Sequence, residues 1–290
     1  MSTVLVTGAT GLTGSAIVHR LSARGVATRA LVRRPAPELA ALPHVEVVLG
    51  DLASAESLAP ALDGVSRAML ISSSAPDMLD VQSTFIAAAK RAGVPHVVKL
   101  SGIMPELDSP FRFARMHGEV ERVLAASGLA YTNLRSGEFM NAYFRQVPMI
   151  VGKGALMLPM ADARIASIDT ADLAEVAVQV LTGEGHEGKT YPLTGPESLT
   201  MAEVAARLST ATGRTIRYIA VSPEDAKRGR AAAGFPPYLN DALDELFAER
   251  RAGKEATVHG SAFGVRSTTF LEFATRNAAI FRGEVPAPKV

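Results

Sequence analysis

Apolar residues along this chain recur in two alternating periods. Short β-branched or apolar runs at 3–7, 27–32, 45–49, 68–71 and 97–100 predict strands. Segments with helical spacing lie between them. Residues 12–23 put Ile17, Val18 and Leu21 on one face before Gly25, and a later segment does the same with Leu58 and Leu62. Another gathers Met78, Val81, Phe85, Ile86 and Ala89 before Gly93, the left-handed kind of stop that ends helices. Runs such as Ala68-Met69-Leu70-Ile71 have no alternating polar position, and a strand covered on both faces needs none. This rhythm predicts an α/β fold with a Rossmann-type, doubly wound parallel sheet.

The pattern continues with a helix carrying Phe113, Met116, Val120, Val123 and Leu124. Asp108 is expected to cap it, with Pro110 in its first turn and Gly128 as its stop. A strand follows at 130–134. Beyond residue 135 the rhythm loosens, with Gly137, Pro148, Gly152, Gly154 and Pro159 set among aromatic side chains. Asp169 then caps a helix with Leu173, Val176, Ala177 and Val180. Thr200-Met201-Ala202-Glu203 is a capping box, with Leu199 and Val204 placed as a staple. A strand at 215–221 and helical segments to about 251 complete the reading. The expected division is a dinucleotide-binding domain over 1–135, with return segments near 165–195. A smaller α/β lobe over 136–290 is expected above the sheet's carboxyl edge, where such folds bind ligands.

Composition narrows the function. A formal net charge of +1 over 290 residues, with no run of five like charges, provides no footprint for nucleic acid or an anionic membrane. The absence of cysteine removes disulfides, thiolate zinc sites and a cysteine nucleophile, and fits a reducing cytoplasm. The opening residues Met1 to Gly8 have no basic n-region and read as a strand rather than a signal peptide. No apolar stretch approaches the ~20 residues that span a bilayer.

The most specific signal is Thr7-Gly8-Ala9-Thr10-Gly11-Leu12-Thr13-Gly14 at the first strand–helix junction. There the chain must turn sharply, admit a pyrophosphate and pack a helix on the sheet, and residues without Cβ meet all three demands. The helix start then offers free N–H groups to phosphate, so Gly8, Thr10, Gly11, Leu12, Thr13 and Gly14 are the expected cradle. The second strand ends in Arg33 and Arg34, where an NAD-preferring chain would place a carboxylate. Two guanidiniums suit a 2′-phosphate, so NADP(H) is the preferred cofactor, with NAD(H) admitted. Either arginine can alternatively be a solvated loop residue. Asp51 and Leu52 fall on the adenine side, although Asp51 could instead cap the next helix. Ser72, Ser73 and Ser74 lie along the expected dinucleotide path, or are plain turn donors.

These segments together resemble the atypical short-chain dehydrogenases/reductases, specifically the NmrA-like group that includes NADPH quinone and azo-dye reductases. The resemblance rests on the glycine pattern, Arg33 and Asp51-Leu52. It extends through His117-Gly118-Glu119-Val120-Glu121, the stretch 127–135, Ser167 to Asp172, and Tyr191 to Gly195. It is weakest over about 222–262. It implies hydride transfer from NADPH to a flat, conjugated acceptor.

Mainstream members of that superfamily use Tyr with Lys four residues later to move the proton. Four residues after Tyr131, Tyr143, Tyr191, Tyr218 and Tyr238 come Arg135, Val147, Gly195, Ser222 and Ala242, so the pair is absent. Phe113 and His117 occupy the corresponding positions. Alcohol–ketone chemistry and sugar-nucleotide epimerisation by that route are therefore disfavoured, whereas a quinone or azo group delocalises the developing anion. His117 is a candidate to contact the nicotinamide ribose or donate a proton, unless it is a satisfied helix residue. By the resemblance, Ser101 stands where the superfamily's catalytic serine lies. Phe139, Met140, Asn141, Tyr143 and Phe144 follow the sixth strand and either stack on a planar substrate or pack between lobes.

The six histidines show no metal-ligand spacing, and no serine elbow or Walker-type lysine loop is present, so no metal is expected. Two functions fit the sequence. One is an NADPH-dependent reductase of small aromatic or quinone-like acceptors, acting in the cytoplasm as a monomer or homodimer. The other is an NADP(H) sensor that regulates a partner protein with little catalysis.

Overall fold

A computed structural model describes residues 3–253 and 257–288; Met1 and Ser2 of the opening run lie outside them. The first half alternates β1 (Thr3–Val6), α1 (Leu12–Ala23), β2 (Thr28–Val32), α2 (Pro37–Ala40), β3 (Val45–Leu49), α3 (Ala55–Leu62), β4 (Val65–Leu70), α4 (Met78–Arg91), β5 (His96–Gly102), α5 (Arg112–Ala126) and β6 (Ala130–Ser136). A 3₁₀ segment, Met140–Gln146, leads into α6 (Val147–Lys153), β7 (Ala155–Leu158), β8 (Arg164–Ile165), α7 (Thr170–Thr182) and β9 (Lys189–Leu193). The chain ends through β10 (Leu199–Thr200), α8 (Met201–Thr212), β11 (Arg217–Ala220), α9 (Pro223–Ala232), α10 (Pro237–Arg251), α11 (Phe270–Arg276) and α12 (Ala278–Phe281).

Seven strands form one sheet in the order β3-β2-β1-β4-β5-β6-β9, and every pairing is parallel. Successive side chains leave opposite faces. Val4, Val6, Val32, Met69 and Val98 pack with Ile17, Leu21, Leu173 and Val180 from α1 and α7. Leu5, Leu31, Leu70 and Val97 pack with Leu58, Phe85, Val120 and Leu124 from α3, α4 and α5. Both faces are thus covered, which explains the unbroken apolar strands. A separate core, built around Phe144, Leu156, Leu208, Phe270, Phe273 and Phe281, holds the lobe together.

The local signals act where expected at several ends. Asp169 accepts from the Ala171 amide at 2.9 Å, and Thr200 with Glu203 closes the capping box of α8. The start of α5 is different. Asp108 does not cap it and Pro110 precedes it; Ser109 Oγ accepts from the Phe111 amide, while Glu245 of α10 accepts from the Arg112 amide at 2.9 Å. Glu245 also takes the Arg112 guanidinium. A partner 133 residues away replaces the local cap and ties the lobe to the sheet. No helix among the described residues is long and apolar enough to cross a membrane.

Candidate functional site

The strand order reverses at β1, whose neighbours are β2 and β4, so a crevice opens at the carboxyl ends of β1 and β4. Thr7 pins those ends together. Its buried hydroxyl donates to the Ile71 carbonyl and accepts from the Ile71 amide, both at 2.7 Å. Gly8 follows at φ +59°, and a Cβ there would stand 3.0 Å from the Ile71 carbonyl oxygen. A Cβ on Gly14 would run into the Gly8 carbonyl, so Gly14 lets α1 pack against its own loop. Gly11 is different: it is exposed, and its Cβ would meet only the Gly8 oxygen, at 3.2 Å. On its other side Gly11 is open to solvent. No side chain caps α1, and its first amides have no partner within the helix. A cradle open at Gly11 with free N–H groups fits a diphosphate.

Arg33 and Arg34 emerge from β2, are exposed, and form no ion pair or hydrogen bond among the described residues. Asp51 does not cap α3; Ser54 does, accepting from the Ser57 amide. Asp51 closes a local turn instead, with Oδ1 accepting from the Ala53 amide at 2.9 Å. Leu52 is half-buried against the core under α3. Ser72 accepts from Gln82 Nε2 at 2.8 Å, whereas Ser73 and Ser74 are exposed.

Beyond the crevice, α5 lays His117 and Glu121, one turn apart, over the β5 positions Lys99 and Ser101. Ser101 is buried and donates to Glu121 Oε1 at 2.6 Å; Arg135 of β6 holds the same carboxylate at 3.1 and 2.6 Å. Lys99 is fully buried. Its Nζ meets the Leu100 carbonyl at 3.2 Å and His117 Nδ1 at 3.0 Å. The half-buried His117 ring lies so close over Gly102 that a Cβ there would stand 3.0 Å from its Cδ2.

Burial pulls the Lys99 ammonium down to about 7, offset in part by the Glu121 charge. Burial, and then the Lys99 charge, push the His117 imidazolium well below its ordinary range. At neutral pH the ring is therefore neutral. With Nδ1 facing an ammonium donor, the ring hydrogen belongs on Nε2. Lys99 escaped the sequence reading, which sought a lysine four residues after a tyrosine. Its signal was a single charge inside the apolar run Val97-Val98-Lys99-Leu100, where a doubly covered strand ordinarily has none.

Just past β6 the chain lines a cavity of about 350 Å³ with mostly apolar walls, closed by β7, α9 and α10. Phe139 and Tyr143 line it; Met140, Asn141 and Phe144 lie elsewhere. The 3₁₀ period of three residues accounts for all of these but Met140, which falls on the Tyr143 face and is nevertheless buried in the lobe core. Phe139, Ala142 and Arg145 share one face on the cavity, and Tyr143 and Gln146 an adjacent one. Asn141 and Phe144 share the third. Asn141 accepts from the Thr170 hydroxyl at 2.9 Å, and Phe144 packs on Phe273 and Phe281 with ring centroids 5.5 Å away. Met140 is buried beside this core. Burial raises the Tyr143 phenol above its ordinary range, so it stays protonated. Among the described residues no group of three His, Cys, Asp or Glu is placed to hold a metal ion.

The sequence profile of the NmrA-like family matches residues 1–259. The NAD(P)H azoreductase of Xenophilus azovorans is 39% identical over 284 residues, covering 96% of this chain and 99% of that protein. An NADPH-dependent quinone oxidoreductase of Escherichia coli, crystallised with NADPH, superposes with a TM-score of 0.86 at 31% identity, covering 94% of this chain and 99% of the other. The triphenylmethane reductase of Citrobacter sp., crystallised with NADP(H), gives 0.86 at 27% identity over 95% and 99% of the two chains. With a glycine cradle at its switch point and a family match over most of its length, this chain belongs to the NmrA-like family.

Proposed function

We propose that this protein is an NADPH-dependent reductase of flat, conjugated acceptors such as quinones and azo compounds. The observation that carries this reading is a cofactor cradle at the carboxyl edge of the sheet, with an apolar cavity lined by the residues that follow β6 at that same edge. An uncapped, glycine-led helix start stands beside two arginines with no ion pair among the described residues, and the cavity past β6 holds about 350 Å³. The azoreductase and quinone reductase similarity supports the same chemistry.

Gly8, Thr10, Gly11, Leu12, Thr13 and Gly14 would hold the diphosphate, and Arg33 and Arg34 the 2′-phosphate. Asp51 and Leu52 would border the adenine, and Ser72, Ser73 and Ser74 the path towards the nicotinamide. NADPH supplies the hydride when bound. The residues 136–290, less the return segments near 165–195, act as the lobe that receives the acceptor, with Phe139 and Tyr143 as its aromatic walls.

Reduction of a quinone to a hydroquinone needs one hydride and one proton. His117 provides this proton from Nε2, while Nδ1 takes one from Lys99. Lys99 is suited to this because its proton is loosely held near neutrality. Ser101 orients Glu121 and Arg135 beneath that pair rather than acting as an acid, since its hydroxyl already donates to Glu121. The protein works in the cytoplasm on small aromatic molecules.

The test is NADPH oxidation with a panel of quinones, azo dyes and aldehydes. Turnover is expected with quinones and azo dyes and not with aldehydes. Tight NADPH binding without turnover of any acceptor would overturn the reading in favour of a cofactor sensor.

A further inference from the structure

Four charged side chains line the lobe cavity: Glu138, Arg145, Asp225 and Arg230. Three of them are neutralised in place. Glu138 accepts from Arg250 Nε at 2.7 Å. Asp225 pairs with Arg228 and accepts from the Ser222 hydroxyl at 2.8 Å. Arg230 pairs with Asp244 and donates to Asn240 Oδ1 at 2.6 Å. Arg145 alone has no carboxylate and no hydrogen-bond acceptor among the described residues. Its guanidinium lies over the ring of Phe235, itself a wall residue, at 5.9 Å from the centroid.

A half-buried cation without a counter-ion is costly unless something else supplies the negative charge. Burial does push this guanidinium below its ordinary range. Nothing in the lobe's packing requires an arginine there, because the core-facing positions of the same 3₁₀ segment are Asn141 and Phe144. The period of three places Arg145 on the face of Phe139 and Ala142, so the charge and an aromatic wall look into one cavity. The acidic groups on that wall do not cancel it, since Glu138 and Asp225 already hold their own arginines.

We infer that Arg145 is an anion subsite, which selects aromatic acceptors bearing an oxyanion substituent such as a sulfonate or carboxylate. The planar body of the acceptor occupies the apolar part of the cavity, and the anion takes two N–H groups of the guanidinium. This inference rests on the reading that the cavity receives the acceptor.

The experiment compares wild type, Arg145→Met and Arg145→Lys with naphthoquinone and naphthoquinone sulfonate at saturating NADPH. Dividing each variant's KM by the wild-type KM for the same quinone cancels the difference in reduction potential. For the sulfonate, Arg145→Met should raise KM roughly ten- to hundredfold, as for loss of a charged hydrogen bond. For the neutral quinone KM should stay within about twofold, and Arg145→Lys should recover part of the loss, a charge-only rescue. NADPH binding and melting temperature serve as controls for folding. An unchanged ratio of the two KM values in Arg145→Met overturns the anion subsite while quinone turnover keeps the reductase reading intact. If wild type turns over neither quinone, the reductase reading fails. Calorimetry then decides the subsite alone: sulfonate binding to wild type and not to Arg145→Met upholds it, and equal or absent binding overturns it.

Discussion

Beneath α5, Lys99 with His117 and Ser101 with Glu121 and Arg135 form two neighbouring hydrogen-bonded groups in which each side chain holds another. Around the lobe cavity the walls are mostly methionine, phenylalanine, leucine and proline side chains, and Arg145 has no charge partner among the described residues. The two regions lie near the carboxyl ends of β5 and β6, yet one is hydrogen-bonded and polar and the other apolar and adaptable. Satisfied polar networks fix geometry because every member loses a bond if it moves. Methionine-rich apolar walls can repack around different flat shapes. This division suits an enzyme that must hold one cofactor in a single pose and accept a range of planar acceptors.

Blocking the cofactor cradle, to which the hydrogen-bonded side must be matched, should have the largest effect. Gly11→Val places a branched side chain in the open space above the cradle without straining its φ of −80°, so the protein should fold. Calorimetry should then detect no binding of NADPH or NADH; a folded variant that binds normally removes the cradle from the site. The lobe offers a contrast between neighbouring aromatics. Phe144→Ala should cost about 3–5 kcal/mol of stability by opening the lobe core. Phe139→Ala should instead raise KM for quinones with a smaller change in denaturant midpoint. Similar midpoints for the two variants would undo the split between core and cavity faces.

Arg33→Ala comes next. NADPH should weaken by about 1.5–3 kcal/mol, roughly ten- to hundredfold, with NADH little changed. Equal losses for the two cofactors would show that Arg33 does not read the 2′-phosphate. The most gradual effect concerns Lys99 and pH. Its ordinary value is 10.5 and burial brings it to about 7. Between these values the unfolded chain binds a proton that the folded chain lacks, so wild-type stability should rise with pH. The slope is at most ~1.4 kcal/mol per pH unit. Lys99→Met lacks this contribution, so the two proteins' stability difference should change steadily across pH 7 to 10 in urea titrations. A difference independent of pH would mean that Lys99 keeps its ordinary proton affinity.

Much of this was legible from residues adjacent in sequence. Alternation of apolar runs with helical stripes dictates the wound sheet, because each element must bury a face of known period. The glycines at 8, 11 and 14 announce a tight turn and a close approach on their own, and Asp169 and Thr200 cap helices whose first amides lie within a few residues of them. Tertiary structure decided what depends on distant partners. Glu245 rather than Asp108 receives the start of α5, across 133 residues. The Lys99 ammonium holds its proton less tightly because the sheet and the helix over it shut out water, and α5 sets His117 within hydrogen-bond reach of it. The 3₁₀ winding after β6 turned Phe144 into the core and Arg145 towards the cavity, a sorting that residue type alone does not express. Short-range periodicity is written in the order of the chain, whereas the proton affinity and pairing of a charge are set by the low-dielectric surroundings that folding assembles around it.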